Sequence, residues 1–364
     1  MVSCIPPVSV CYTSLWKIEI LVNRRALISG VLRGERSVRL PRALFGAGRW
    51  AYRQTGLEMQ GIVADPVHFA EALAGLFNDL DTDIVFPGSG LNTFPAEAVG
   101  GSLAFQEGQA PLLSFPLIQK TEDARYLCGM GLSGSPHMYA LIEMINSLRE
   151  QLPDRFLCAT TWGPFTWAMI LCEWDLLREK VAFDKTFIRE ICELGVRLSS
   201  AFIGPLADRG AIDGMVISDG SATLIPLDLY REVVLPAERM LFEWAKGQGL
   251  SCFLHQCGAI QPQLSLYPET GADCISVDAC VPIGEVYERY RDLVVTAGNV
   301  DVVNTIYGGD ASEVSEKVAA CLAAISNPHF RYILMPSCDL PPDTSLRNVR
   351  EFLSCADRIV RTGG

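Results

Sequence analysis

Seven short apolar runs recur along the chain between longer amphipathic stretches, and this alternation narrows the possible folds more than any other feature. The runs are TDIVF (82–86), RFLCAT (155–160), IDGMVIS (212–218), LSCFLH (250–255), DCISV (273–277), LVVTAGNV (293–300) and RYILM (331–335). Each is bounded by polar residues or by Gly and Pro, the pattern of a strand buried on both faces. Between them, segments such as 185–203, 229–247 and 311–325 carry helical periodicity, the last opening on Asp310 with Glu313 three residues on, a capping box. Strand–helix alternation over more than 250 residues without a linker indicates a parallel α/β architecture. In a chain of 364 residues, that many β-α units favour a (β/α)₈ TIM barrel over a doubly wound sheet. Regular patterning begins at NRRALISGVLRGE (23–35), so residues 1–22 are expected to be an N-terminal extension and 23–364 a single barrel domain.

Composition removes several function classes. Thirty Lys and Arg against forty-two Asp and Glu leave a net charge of −12 with no basic stripe, so neither nucleic acid nor an anionic membrane surface is an expected partner. No apolar run approaches the ~18 residues of a membrane helix, and the first residues lack a basic region and cleavage site of the secretory kind. The thirteen cysteines are scattered, without a C-x-x-C pair, as small core residues of a cytoplasmic protein would be.

A barrel carries its chemistry at the C-terminal ends of its strands. His255 ends one run, Asp219 and Asp278 follow two others, and Cys338 follows the last. His255 and Cys257 form an H-x-C pair before Gly258. Such a pair can be a core histidine beside a core cysteine, or two donors aimed at one metal ion. Cys338, in the Pro-rich loop MPSCDLPPDT (335–344), could add a third donor, and one His with two Cys suits a catalytic zinc with an open fourth position. Asp219 and Asp278 are equally readable as turn caps or as groups that bind substrate or move a proton. The stretch GMGLSG (129–134) fits G-x-G-x-x-G, but charged TEDARYLC precedes it instead of a strand, so a plain turn before a helix at 136–150 is expected.

Taken in order, RALISGVLRGE…RLP (25–41), GAGRW (46–50), AEAVG (96–100), GPFTWA (163–168), SDGSATLIP (218–226), GNVD (298–301) and PSCDLPPDT (336–344) make the chain resemble the uroporphyrinogen decarboxylase superfamily from about 23 to 360. That resemblance implies a TIM barrel of the uroporphyrinogen decarboxylase type. The decarboxylase branch carries two arginines where this chain has Phe45 and Arg49, an aspartate where it has Phe86-Pro87-Gly88, a tyrosine at Ile170 and a histidine at Cys338. The other branch, corrinoid-dependent methyltransferases that include O-demethylase components, is similar at His-x-Cys-Gly and at Cys-Asp-(Leu/Ile)-Pro-Pro. Its zinc ligands carry over to His255, Cys257 and Cys338. The resemblance therefore implies a zinc-dependent methyltransferase that exchanges a methyl group between methylcobalamin on a separate corrinoid protein and a small thiol or methoxy/alcohol substrate. A metal-free uroporphyrinogen decarboxylase is the alternative. In the first reading Asp219 and Asp278 are the expected catalytic carboxylates, and Asn92, Glu97 and Arg49 are expected to line the substrate site. No Asp-x-His-x-x-Gly stretch is present to hold the corrinoid within this chain.

Overall fold

A computed structural model of the protein describes residues 23–362. The proposed extension, 1–22, lies outside the described residues. Seven parallel strands form one sheet in the order β1 (Ile84–Val85), β4 (Phe156–Trp162), β5 (Gly214–Ser218), β6 (Ser251–Gln256), β7 (Cys274–Val277), β8 (Val295–Val300) and β9 (Tyr332–Pro336). Among the described residues two further strands, β2 (Leu103–Ala104) and β3 (Leu112–Leu113), pair antiparallel in a small separate hairpin. Each of the seven apolar runs coincides with one of the sheet's strands, four containing it and three (155–160, 250–255 and 331–335) stopping one or two residues short of its end. The eighth stave is residues 41–43: Arg42 bridges Leu334 of β9 and Ala43 bridges Ile84 of β1, both parallel, which closes the curled sheet into a barrel. The Ala43 N–H donates to the Leu334 carbonyl at 3.0 Å and the Asp83 N–H to the Arg42 carbonyl at 2.9 Å.

The barrel interior is a core of its own. Phe156 and Cys158, Val216, Phe253, Cys274, Val295 and Ala297, Ile333 and Met335, Ile84 and Phe86 come from alternate positions of their strands, as the two-residue pleat requires. The helix Arg24–Leu32 plugs the N-terminal end, adding Ile28 and Val31 to that core while Arg25 meets Asp213 at 2.6 Å. Helices cover the outside, the longest being Lys185–Asp208, whose Ile188, Ile191, Leu198 and Phe202 are buried. Asp310 and Glu313 form the expected capping box at the start of Ala311–Ala323. The G-x-G-x-x-G stretch joins two helices, Thr121–Gly129 and Pro136–Gln151, with no strand before it. Among the described residues no helix is long and apolar enough to cross a membrane.

Candidate functional site

Strand pairing alone brings polar groups to the barrel mouth. In register, His255 lies between Ser218 of β5 and Ser276 of β7. These positions continue the inward series of Val216, Phe253 and Cys274, so all three side chains sit one layer above the apolar core. His255 is buried, and its Nδ1 lies 3.0 Å from the Ser276 hydroxyl. With Nδ1–H donating to that oxygen, Nε2 is left with its lone pair facing Cys257, whose Sγ is 3.0 Å away. Cys338 closes the group, its Sγ 3.3 Å from that of Cys257. One donor atom from each of His255, Cys257 and Cys338 falls within 4.8 Å of the others. Either sulfur can donate to the other; this contact draws the Cys338 thiol down and pushes Cys257 up. A soft cation at the centre of the three atoms would hold both sulfurs as thiolates. A nitrogen and two sulfurs, with the imidazole's second nitrogen already oriented, are a donor set that fits zinc.

The loop carrying Cys338 is held by Asp339. Its carboxylate accepts from the Ala47 N–H at 2.6 Å and lies 3.4 Å from Arg49 Nε, and the Trp50 indole donates to the Thr344 carbonyl at 2.9 Å. Gly46 is required there: its φ is +62°, and a Cβ would stand 2.5 Å from the Asp339 carboxylate. Phe45, just before, lays its ring against the His255 imidazole with centroids 4.1 Å apart.

The other residues singled out from the sequence do different things. Asp278 accepts from the Gly258 N–H at 3.0 Å and so fixes the turn after Cys257; it is also close enough to push the Cys257 thiol up. Asp219 is completely buried and accepts from the Phe165 N–H, the Thr166 N–H and the Thr166 hydroxyl at 3.2, 2.7 and 2.9 Å, which caps the helix Pro164–Leu171. Burial pushes its carboxyl up to about 6 against these bonds. Asn92 is tied to the Thr160 hydroxyl at 2.7 Å. Glu97 meets His137 Nδ1 at 2.8 Å and accepts from the Ser135 hydroxyl, also at 2.8 Å. Arg49 lines a cavity of about 290 Å³ between the helix Gly48–Thr55 and the loop 105–109. The three donors converge; Asn92 and Glu97 are each engaged in contacts of their own with neighbouring segments.

Sequence reasoning missed Ser276, Phe45 as a neighbour of His255, and Glu238. The last is fully buried, and that burial raises its carboxyl well above the ordinary range. Its place in the amphipathic stretch LPAERMLFEWAKG gives no sign of this.

Residues 24–359 match the family described as uroporphyrinogen decarboxylase (URO-D). Among curated relatives, a methylcobamide:CoM methyltransferase of Methanosarcina acetivorans is 24% identical over 271 residues, 72% of this chain and 76% of the relative. A uroporphyrinogen decarboxylase of Streptomyces coelicolor is 26% identical over 229 residues, 61% of this chain and 63% of that protein. The solved structure of a methyltransferase from Methanosarcina mazei superimposes with a TM-score of 0.80 at 20% identity, covering 92% of this chain and 98% of the other, which supports the barrel fold. With nearly its whole described length matched, the chain belongs to the uroporphyrinogen decarboxylase (URO-D) family.

Proposed function

We propose that this protein is a zinc-dependent methyltransferase acting between a corrinoid carried on a separate protein and a small thiol or methoxy/alcohol substrate. The observation that carries the reading is the convergence of His255, Cys257 and Cys338 at the barrel mouth. Zinc held there would supply a Lewis acid able to keep a substrate thiol ionised or to polarise a methoxy oxygen. Ser276 orients the imidazole through its hydrogen bond with Nδ1, and Asp278 holds the turn that aims Cys257. Of the two carboxylates, Asp278 is the partly exposed one and the better placed to orient a substrate; Asp219 acts from below by holding the start of the helix Pro164–Leu171. Two relatives named for methyl transfer to coenzyme M support the same reading.

The metal-free decarboxylase reading is weaker. Phe45, where decarboxylases carry an arginine, is an apolar wall against His255, and Arg49 faces the Asp339 carboxylate. The test is the metal content of protein purified without chelator. About one zinc per chain, falling below about half in Cys338→Ser, together with loss of methyl from methylcobalamin to an added thiol or onto cobalt from a methoxy donor, supports the proposal. Zinc-free protein that releases carbon dioxide from uroporphyrinogen overturns it.

A further inference from the structure

Gln256 stands between the two donors His255 and Cys257, and its side chain leaves the strand on the opposite face, away from the mouth. Both ends of its amide are held by fully buried groups. Its Nε2 donates to Glu238 Oε1 at 3.0 Å, and its Oε1 accepts from the Tyr267 hydroxyl. Glu238 is held in turn: the Tyr230 hydroxyl donates to its Oε2 at 2.7 Å, and Asp219 is close enough to push its carboxyl further up. Asp219 is the residue whose N–H donates to the His255 carbonyl at 3.0 Å, and the next residue, Gly220, lies against Cys257.

A carboxyl group this deep must have its oxygens hydrogen-bonded, since no cation is among the groups acting on Glu238. The backbone is shaped to bring it there. Tyr230 and Glu238 are eight positions apart, a spacing that puts side chains about 80° apart on a regular helix. The wide π turn Tyr230–Val234, which runs directly into the helix Leu235–Gly247, absorbs one residue, so that eight positions close to two full turns and both side chains reach the same point.

We infer that Glu238 is a positioning residue for the metal centre: through Gln256 it fixes the strand segment that carries His255 and Cys257 and so sets the angle between two of the three donors. The inference rests on the metal-site reading above. No group of this network touches the donor atoms; its action is on the backbone between them.

Zinc affinity, by competition against a chromophoric chelator, and the absorption spectrum of the cobalt(II)-loaded protein are to be measured for the wild type, Glu238→Gln and Tyr267→Phe. Glu238→Gln keeps the volume but cannot accept from both Gln256 and Tyr230. It is expected to bind zinc about tenfold more weakly and to shift the cobalt ligand-field bands. Tyr267→Phe removes one hydroxyl at the far end of the Gln256 amide and is expected to lose affinity a few-fold, in the same direction. A merely structural role would lower the melting temperature of the metal-free protein and leave both metal readouts at their wild-type values. Zinc affinity within twofold of the wild type and an unchanged cobalt spectrum in Glu238→Gln, or in Tyr267→Phe should the first variant not fold, overturn the inference while the metal site stands. A wild-type protein that binds neither zinc nor cobalt overturns the metal site itself, and the inference with it.

Discussion

The ring of Phe45 lies against the imidazole of His255, centroids 4.1 Å apart, where the barrel's closing segment meets the strand that ends in His255 and Gln256. An apolar, uncharged neighbour there adds no positive charge beside the donor nitrogens. Phe45→Arg would set a guanidinium beside the imidazole, where its positive charge would oppose any cation held at Nε2. Zinc affinity is expected to fall at least tenfold in this variant and to hold within a few-fold in Phe45→Leu; elemental analysis after dialysis against a weak chelator reads the difference.

Removing the metal should cost stability as well as activity. A ligand bound only by the native state adds about 4 kcal/mol when present at a thousand times its dissociation constant. Calorimetry in chelator is therefore expected to show a lower melting temperature that added zinc restores. Cys257→Ser should begin low and respond to neither reagent.

The two rim aspartates are expected to separate in their effects. Asp219→Ala strips the acceptor from two N–H groups and a hydroxyl in a buried cap, worth about 2–5 kcal/mol of stability, with zinc still bound by the folded fraction. Asp278→Ala should melt near the wild type but lose roughly tenfold or more in kcat/KM, since the Gly258 turn is no longer held. Equal melting temperatures for the two variants would count against this division.

At the barrel seam, Arg42 is buried between Asp81 and Asp357, 2.9 Å from the latter. Burial alone would push the Asp81 carboxyl up; Arg42 and Arg24 outweigh it and bring it down to about 2. Because the folded value lies below the ordinary one, the pairing stabilises the fold above about pH 4, and that contribution is lost as the pH falls toward 2. Arg42→Ala is expected to lower stability by about 1–3 kcal/mol at neutral pH, by a margin that shrinks on acidification. Chemical denaturation at pH 7 and pH 3 measures both limbs.

Much of this architecture was legible because it rests on local patterns. Buried parallel strands must be apolar throughout, so seven of the eight staves announced themselves. The eighth did not: residues 41–43 contain a proline and a buried arginine, and each neighbour is met through a single bridge, too short a stretch for any periodicity. From residue type alone the His255–Cys257 pair stays open between a core pair and a metal site; the family resemblance joins Cys338 to it, and the structure brings the three side chains together. Ser276 and Glu238 were not legible, since what makes them matter is a register between strands and a π turn in a helix, neither of which has a signature in residue type. Asp219 shows the converse case: its position at a strand end was read correctly, and its three bonds to the start of the helix Pro164–Leu171 could only be seen in three dimensions.

Cys257 and Cys338 are eighty-one residues apart in the chain, yet their sulfurs are 3.3 Å apart. A cation bridging them is thus a reversible staple across β6 and β9, with β7 and β8 enclosed in the loop it closes. By the chain-entropy relation for a cross-link of that length, such a staple is worth up to about 4.5 kcal/mol. Metal loss would then unfasten one half of the barrel: amide exchange should quicken in β7 and β8, while the half built on β4 and β5 keeps its protection.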